Sequence, residues 1–375
     1  MNFELTEEQS LYRDTISSFL SARYSVQQRT HYLAQEHGYD RSNWAKLADL
    51  GVLALPFSAE MGGLGGTGKD VAIVQEEIGY HLAVEPFADN IAIPAMAFDW
   101  FENRDLAKSL TESLVSGNRT ITVALAEDQN TSGKDNRRCR AKVRADGVVL
   151  AGSKPFVAYP SADLLLVSAE TGKAADQPAV ILLMVPADTP GIAFNRYQLI
   201  DGTPAASIEF DNVELPDTAI VVGTDQAARA IEGMYRMGAH AAVAECLGIL
   251  RRMLELTTEY MRNRIQFGKP LSHKQVVRHR LAEMHMHYEL AQSVVAGLGL
   301  YPAETASGCR QLSAAKVTIA QAFEFIGKQS IQLHGAIGLT DEYELSHYYK
   351  RALVLQESYG SKREHALKLA RLEAA

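Results

Sequence analysis

Two stretches near the carboxyl end concentrate side chains able to hold a phosphorylated aromatic ligand. The first is YMRNRIQFGKPLSHKQVVRHRLAEM, residues 260–284. Arg264 and Phe267 stand at the end of a helical run, Gly268 and Pro270 make a sharp turn, and Gln275 falls in the first turn of the next helix. A guanidinium pairs with a pyrophosphate, and an aromatic ring covers an adenine or a flavin edge. The second stretch is QLHGAIGLTDEYELSHYYKRA, residues 332–352. Gln332 supplies an amide, and Gly335 and Gly338 let backbone come close to a ligand. A plainer reading stands beside this one. Arg264 is also placed to act as a cation at a helix C-terminus, and the glycines to do no more than turn the chain.

Other patterns carry less chemistry. GLGGTGKD, residues 63–70, approaches a phosphate-binding loop, but Asp70 puts a negative charge where a hydroxyl should meet magnesium. No strand precedes it and no βαβ context surrounds it, so it reads as a glycine-rich turn. His279, Glu283 and His287 share a helix face at zinc-ligand spacing. Arg280 stands where a metalloprotease glutamate would be, and a solvated face of Glu–His pairs explains the spacing. No Ser/His/Asp layout stands out.

The elements that position these residues change character along the chain. Residues 1–118 read as helical: Thr6 before Glu7 and Glu8 suits a helix start, and LYRDTISSFLSARY, NWAKLADLGVLAL and VAIVQEEIGYHLA repeat apolar residues at helical spacing. Residues 119–225 are rich in short strands such as DLLLVSAE, AVILLMVPA and ASIEFDNVELP, with turn signals at Asp146-Gly147 and Thr171-Gly172. They predict a small antiparallel β domain. Residues 226–375 return to long helical runs over 226–263, 273–299, 309–334 and 341–371, which suit an antiparallel bundle. The fold class is therefore α+β, in the order α, β, α.

Composition bounds the rest. The chain has 375 residues, 47% hydrophobic and 22% charged, with a net charge of −8, which argues against nucleic acid or an anionic membrane as the main partner. Cys139, Cys246 and Cys309 form neither a zinc spacing nor a disulfide framework, and a reducing cytoplasm is the expected setting. No run of about 18 apolar residues is long enough to span a membrane, and the acidic start MNFELTEEQS does not fit a targeting peptide.

Taken together, R-x-Q-F-G-x-x-L from Arg264, the later LAEM, and Q-L-H-G-x-x-G from Gln332 resemble the two signatures of the acyl-CoA dehydrogenase family. LTEEQ, EMGGLG and EFDNVELP fit as well, so the resemblance covers nearly the whole chain. It implies an N-terminal α-helical domain, a barrel-like middle domain, a C-terminal four-helix bundle, FAD as cofactor, an acyl-CoA substrate, and assembly as a dimer of dimers. It further implies that Arg264, Phe267, Gln332 and Gly335, with Gln275 a weaker correspondence, contact an FAD held by a neighbouring subunit. An electron-transfer flavoprotein is the expected electron acceptor.

The resemblance fails where the chemistry should be. The family removes an α-proton with a glutamate, usually in a Tyr-Glu-Gly-Thr stretch; here it reads Ser358-Tyr359-Gly360-Ser361, with Tyr359 in the base position. A later family glutamine corresponds to His365, and the earlier-helix base of a minority of members corresponds to Gly238. A phenol, with an ordinary pKa of about 10, is a poor base at neutral pH and reads better as a packing residue. Glu357 points elsewhere, and Glu245, about 10 Å along the helix from Gly238, reads as a buried ion partner. The family's Thr-Glu-Pro becomes Ala126-Glu127-Asp128, without the Gly-Ser-Asp that should follow, and its Trp-Ile-Thr becomes Phe156-Val157-Ala158.

Residues that would serve a neighbour's flavin are kept, while those that would hold and use the chain's own are altered. This pattern predicts a subunit of a heterotetrameric acyl-CoA dehydrogenase, in fatty acid or sterol breakdown, that completes the site of a second chain. Three alternatives stay open: a self-sufficient homotetramer with a displaced base, a member doing other flavin chemistry, and a non-catalytic acyl-CoA-binding relative.

Overall fold

The computed structural model describes residues 5–126, 139–174, 177–298 and 304–374; Glu127, Asp128 and the segment after them lie outside it. The amino-terminal helices are α1 (Glu7–Ser21), α2 (Val26–Leu33), α3 (Arg41–Asp49), α4 (Gly68–His81), α5 (Ile93–Phe98) and α6 (Arg104–Val115). Thr6 caps α1: its side chain accepts from the Gln9 amide, while the Gln9 side chain accepts from the Thr6 amide. Eight strands follow: β1 (Ile121–Ala124), β2 (Arg140–Arg144), β3 (Gly147–Ala158), β4 (Leu164–Ala174), β5 (Gln177–Pro186), β6 (Ile192–Gln198), β7 (Pro204–Leu215) and β8 (Ile220–Val222). The chain then runs through α7 (Thr224–Asn263), the small strands β9 (Ile265–Gln266) and β10 (Lys269–Pro270), α8 (Gln275–Ala296), α9 (Ala306–His334), α10 (Glu344–Glu357) and α11 (Lys362–Ala374).

The residues fall into two compact units: Tyr32–Thr67 with Glu85–Met237, and Met1–His31 with Gly68–Val84 and Gly238–Ala375. The first holds the sheet, in the order β6-β7-β3-β2-β4-β5-β8, with β1 also on β4. The antiparallel, barrel-like description is too narrow for it. Both β1 and β2 run parallel to β4, and the sheet is open among the described residues, with β6 and β8 at its edges. Turn signals identify hairpins but carry no information about parallel partners, which meet only through the tertiary fold. Leu165, Val167 and Ala169 on β4, and Ile181, Leu183 and Val185 on β5, alternate into one apolar core.

The second unit is a helical bundle. Val243, Leu247, Leu250 and Met253 of α7 pack with Met284, Tyr288 and Ala291 of α8, and with Ile319, Phe323 and Ile326 of α9. Leu345, Tyr348 and Ala352 of α10 join the same core. Glycines set the approach of α4 to α7. A Cβ at Gly79 would run into the Glu245 carbonyl, and one at Gly248 into the Glu76 carbonyl, so the two backbones touch. Arg251 joins this crossing with bonds of 2.9 Å to both Glu76 and Glu77. Burial pushes the Glu77 carboxyl up, but His81 and Arg251 outweigh it and hold it at about 2.

Candidate functional site

Five of the residues singled out in the sequence gather at one end of this bundle. Tyr260, near the end of α7, stacks on His334, at the end of α9, with ring centroids 4.5 Å apart. His334 is buried, and its ring nitrogens meet the Ser330 carbonyl at 2.8 Å and the Tyr343 hydroxyl at 3.2 Å. This contact brings Arg264, one turn beyond Tyr260, to the end of the bundle where Gln332 and Gly335 flank His334. Gln275 opens α8 immediately after the hairpin. Arg264, Phe267, Gln275, Gln332 and Gly335 are all exposed.

The hairpin between α7 and α8 has an unusual tip. Gln266 pairs with Lys269 and Ile265 with Pro270, leaving Phe267-Gly268 as a two-residue loop. Both have positive φ, +54° and +76°, as a type I′ turn demands. Asparagine commonly fills the first place; a bulky phenylalanine there is strained. No packing among the described residues accounts for it, because Phe267 is 89% exposed, with the Lys274 ammonium 5.4 Å from its ring. One electrostatic signal was missed in the sequence. Residues 260–282 carry six arginines and lysines (Arg262, Arg264, Lys269, Lys274, Arg278 and Arg280) and no acid, in a chain whose net charge is −8.

The expected base position lies elsewhere in the same unit. Tyr359 sits in the break between α10 and α11, at φ +55°, and its ring packs on the bundle core. It touches Gly238 of α7: a Cβ built there would lie 2.5 Å from the ring. The two positions that family likeness assigns to a base therefore face each other, one a phenol and the other a glycine. From Gly238 to Tyr260 is 22 residues of α7, about 33 Å of helix. The hairpin and the Tyr359 turn of one chain thus cannot line one reacting centre.

Two carboxylates nearby, Glu245 and Glu364, are otherwise engaged. Glu245 is 4% exposed, and Arg351 grips it through Nε at 2.6 Å and a terminal nitrogen at 3.1 Å, the buried ion pair expected from its place in an apolar run. Glu364 caps α11, accepting from the Ser361 amide at 2.7 Å and hydroxyl at 3.0 Å, bonds that lower its pKa. Burial pushes the Cys246 thiol up to about 12, so it stays protonated. Sequence reading also missed Lys316. It lies within the apolar run SAAKVTIAQAF of α9, and a lysine there is the signal that was available.

The decoys resolve into packing. Asp70 accepts from Gln9 Nε2 at 2.8 Å, and a Cβ at Gly63 would strike the Phe57 carbonyl. Glu283 pairs with Arg280 at 3.0 Å, and His287 stacks on Phe325 with centroids 4.4 Å apart. No cluster able to hold a metal occurs among the described residues, nor any helix long and apolar enough to cross a membrane. In the sheet unit, Phe156 is 40% exposed and Val157 is buried, and by residue type neither they nor Ala158 offers a hydroxyl.

Residues 6–97 match the family described as acyl-CoA dehydrogenase, N-terminal domain, and residues 228–371 match acyl-CoA dehydrogenase, C-terminal domain. The acyl-CoA dehydrogenase IpdE2 of Mycobacterium tuberculosis is 28% identical, over 92% of this chain and 91% of its own. Among solved structures, the ChsE4-ChsE5 complex from Mycobacterium tuberculosis shares the fold, with a TM-score of 0.89 at 24% identity over 100% of this chain and 99% of that one. A variant of the Tcur3481-Tcur3483 steroid ACAD is similar, with a TM-score of 0.83 at 25% identity over 98% of each chain.

Proposed function

We propose that this chain, which belongs to the acyl-CoA dehydrogenase family, works as one half of a two-chain acyl-CoA dehydrogenase and completes the FAD site of its partner. The family's members are FAD-dependent oxidoreductases acting on acyl-CoA. The observation that carries the two-chain reading is the hairpin. It holds a strained aromatic ring and an arginine in solvent, at the end of α7 and more than 20 residues of helix beyond the Gly238 that Tyr359 touches. The donor set fits a dinucleotide. Arg264 supplies a guanidinium for the pyrophosphate, Phe267 a face for an aromatic ring, and Gln332 and Gln275 amides. A Cβ on Gly335 would meet nothing within 4 Å, which leaves its backbone open to a ligand.

The chain's own base positions support the same division of labour. FAD held there would supply the acceptor for a hydride from the β-carbon of the acyl group, and desaturation would also need a base to take the α-proton. In this chain Tyr359 stands on Gly238, and Glu245 is tied to Arg351. The base is therefore assigned to the partner, an acyl-CoA dehydrogenase-like chain that carries the family glutamate. The chain's own role is to hold that partner's cofactor from outside, with an electron-transfer flavoprotein as the acceptor of its electrons. The paired chains named in the Tcur3481-Tcur3483 steroid ACAD offer a precedent for such an assembly and for a sterol-derived acyl group.

The visible spectrum tests the proposal. Purified alone, the chain should be colourless, and co-expression with a glutamate-bearing homologue should yield a yellow complex bleached by acyl-CoA. A stoichiometric flavin on the chain alone that acyl-CoA bleaches would sink the two-chain reading.

A further inference from the structure

The turn carrying Tyr359 is held from α9 by two side chains. Lys316 is 4% exposed, and its Nζ donates to the carbonyls of Leu355, Gln356 and Ser358, at 3.2, 3.4 and 2.7 Å. These carbonyls lie at the C-terminal end of α10, where acceptors lack helical partners and the helix dipole favours a cation. Close by on α9, Ser313 meets Nδ1 of the buried His365 at 3.2 Å, and Nε2 of His365 meets the Tyr359 carbonyl at 3.1 Å. A carbonyl only accepts, so Nε2 carries the proton and Nδ1 accepts from the Ser313 hydroxyl. Burial lowers the pKa of His365, which favours the neutral ring this relay needs.

An ammonium is costly to bury, and this one serves three carbonyls of one turn. The turn it closes holds Tyr359 in left-handed backbone, a conformation that a bulky residue keeps only when its surroundings impose it. The outcome is a ring laid on the bare face that Gly238 leaves on α7. Ring and glycine are a matched pair: any side chain at 238 would need the space the ring fills.

We propose that the Tyr359 ring is a stopper that closes the Gly238 face of α7 to an acyl chain, and that Lys316 is the positioning residue that keeps it seated. The inference rests on the reading that acyl-CoA is desaturated in the partner's site, and it accounts for this chain taking none in its own. Each pair of chains then binds a single acyl-CoA.

Equilibrium dialysis of the full-length chain against S-butyl-CoA, a thioether that cannot be desaturated, tests this without any flavin. Tyr359→Gly is the clean variant, because glycine accepts the positive φ and removes only the ring. It should bind about tenfold more tightly than the unaltered chain, the gain expected from burying roughly two methylene groups. Lys316→Met should give a smaller gain, and none when added to Tyr359→Gly, since Lys316 acts through the ring. If Lys316→Met does not fold, Ser313→Ala, which removes the other prong, is read in the same way. Equal binding by the unaltered chain and Tyr359→Gly overturns the stopper. A Lys316→Met gain that persists without the ring, or no gain with it, overturns the positioning role. Flavin complementation by a partner is a separate readout, so either result can fail while the other stands.

Discussion

The hairpin at 264–270 and the turn at 358–361 each hold an aromatic residue in left-handed backbone, Phe267 at φ +54° and Tyr359 at φ +55°. Their surroundings are opposite. Tyr359 lies on a glycine, its carbonyl is bonded by His365, and the helix end before it is closed by Lys316. Phe267 is 89% exposed, and among the described residues the Lys274 cation lies near its ring. Backbone strain persists where other interactions offset it. For Tyr359 those interactions are within the chain, whereas for Phe267 they must come from outside it. The difference separates a part that closes a site from a part that completes one.

The sharpest way to break this comparison is to remove the outward arginine. Arg264→Ala should lower the flavin content of the co-expressed complex by about tenfold or more, the effect of losing charge-assisted hydrogen bonds worth about 2 kcal/mol. The melting temperature of the chain alone should stay unchanged. Retained flavin would remove the outward role of the hairpin.

A second, smaller effect compares the two aromatic residues directly. Phe267→Gly should stabilise the isolated chain by about 1 kcal/mol in urea unfolding, because it relieves strain and loses almost no packing. The same change should weaken the flavin-bearing complex. For Tyr359, glycine should be more stable than alanine by about 1 kcal/mol, since both lose the ring and only alanine keeps the strain. Equal stability of Tyr359→Gly and Tyr359→Ala would mean that the left-handed turn relaxes in solution.

The remaining effects are electrostatic. Six cations without an acid over residues 260–282 should make assembly of the complex weaken as salt rises, while folding of the Tyr359 turn stays insensitive. Sedimentation across a salt series reads the first, and thermal melts of the chain alone read the second. Lys316 adds a pH signature. Burial pulls its pKa from 10.5 to about 8, so between these values the unfolded chain binds more protons than the folded one. Stability then gains a rising contribution from pH 8 to 10.5. In paired melts the unaltered chain should gain on Lys316→Met across that window, and parallel curves would contradict it.

Much of this architecture was legible in local pattern. Thr6 announced α1, and the short apolar runs DLLLVSAE and AVILLMVPA announced β4 and β5, which are buried on both faces. The helical run read over 341–371 is instead two helices, α10 and α11, broken at Ser358–Ser361. Glu245 was readable as an ion partner because a lone acid in AHAAVAECLG needs one, though only the fold supplies Arg351. What stayed hidden depends on contacts between distant segments. β6 was missed because most of its residues face solvent, which leaves no clear alternation. The parallel pairing of β1 with β4 has no local signature. Gly238 and Tyr359 were each identified from family likeness, but nothing in either stretch says that they touch. The exposed positions Arg264, Phe267, Gln275, Gln332 and Gly335 were found from residue type, and the fold adds that they share one end of the bundle.

The crossing of α4 and α7 has a consequence for motion. Side chains between two packed helices normally act as a compliant layer, through which one helix slides past the other by shear. At Gly79 and Gly248 that layer is missing, and carbonyls of the facing helix occupy its place. Arg251 then ties α7 to two successive carboxylates of α4, and His240 bonds the Gly68 carbonyl at the start of α4 at 2.8 Å. The two helices must move as one stiff piece. Gly238 is thus part of a stiff wall, and the Tyr359 ring is pressed against it by a turn that Lys316 and His365 tie to α9.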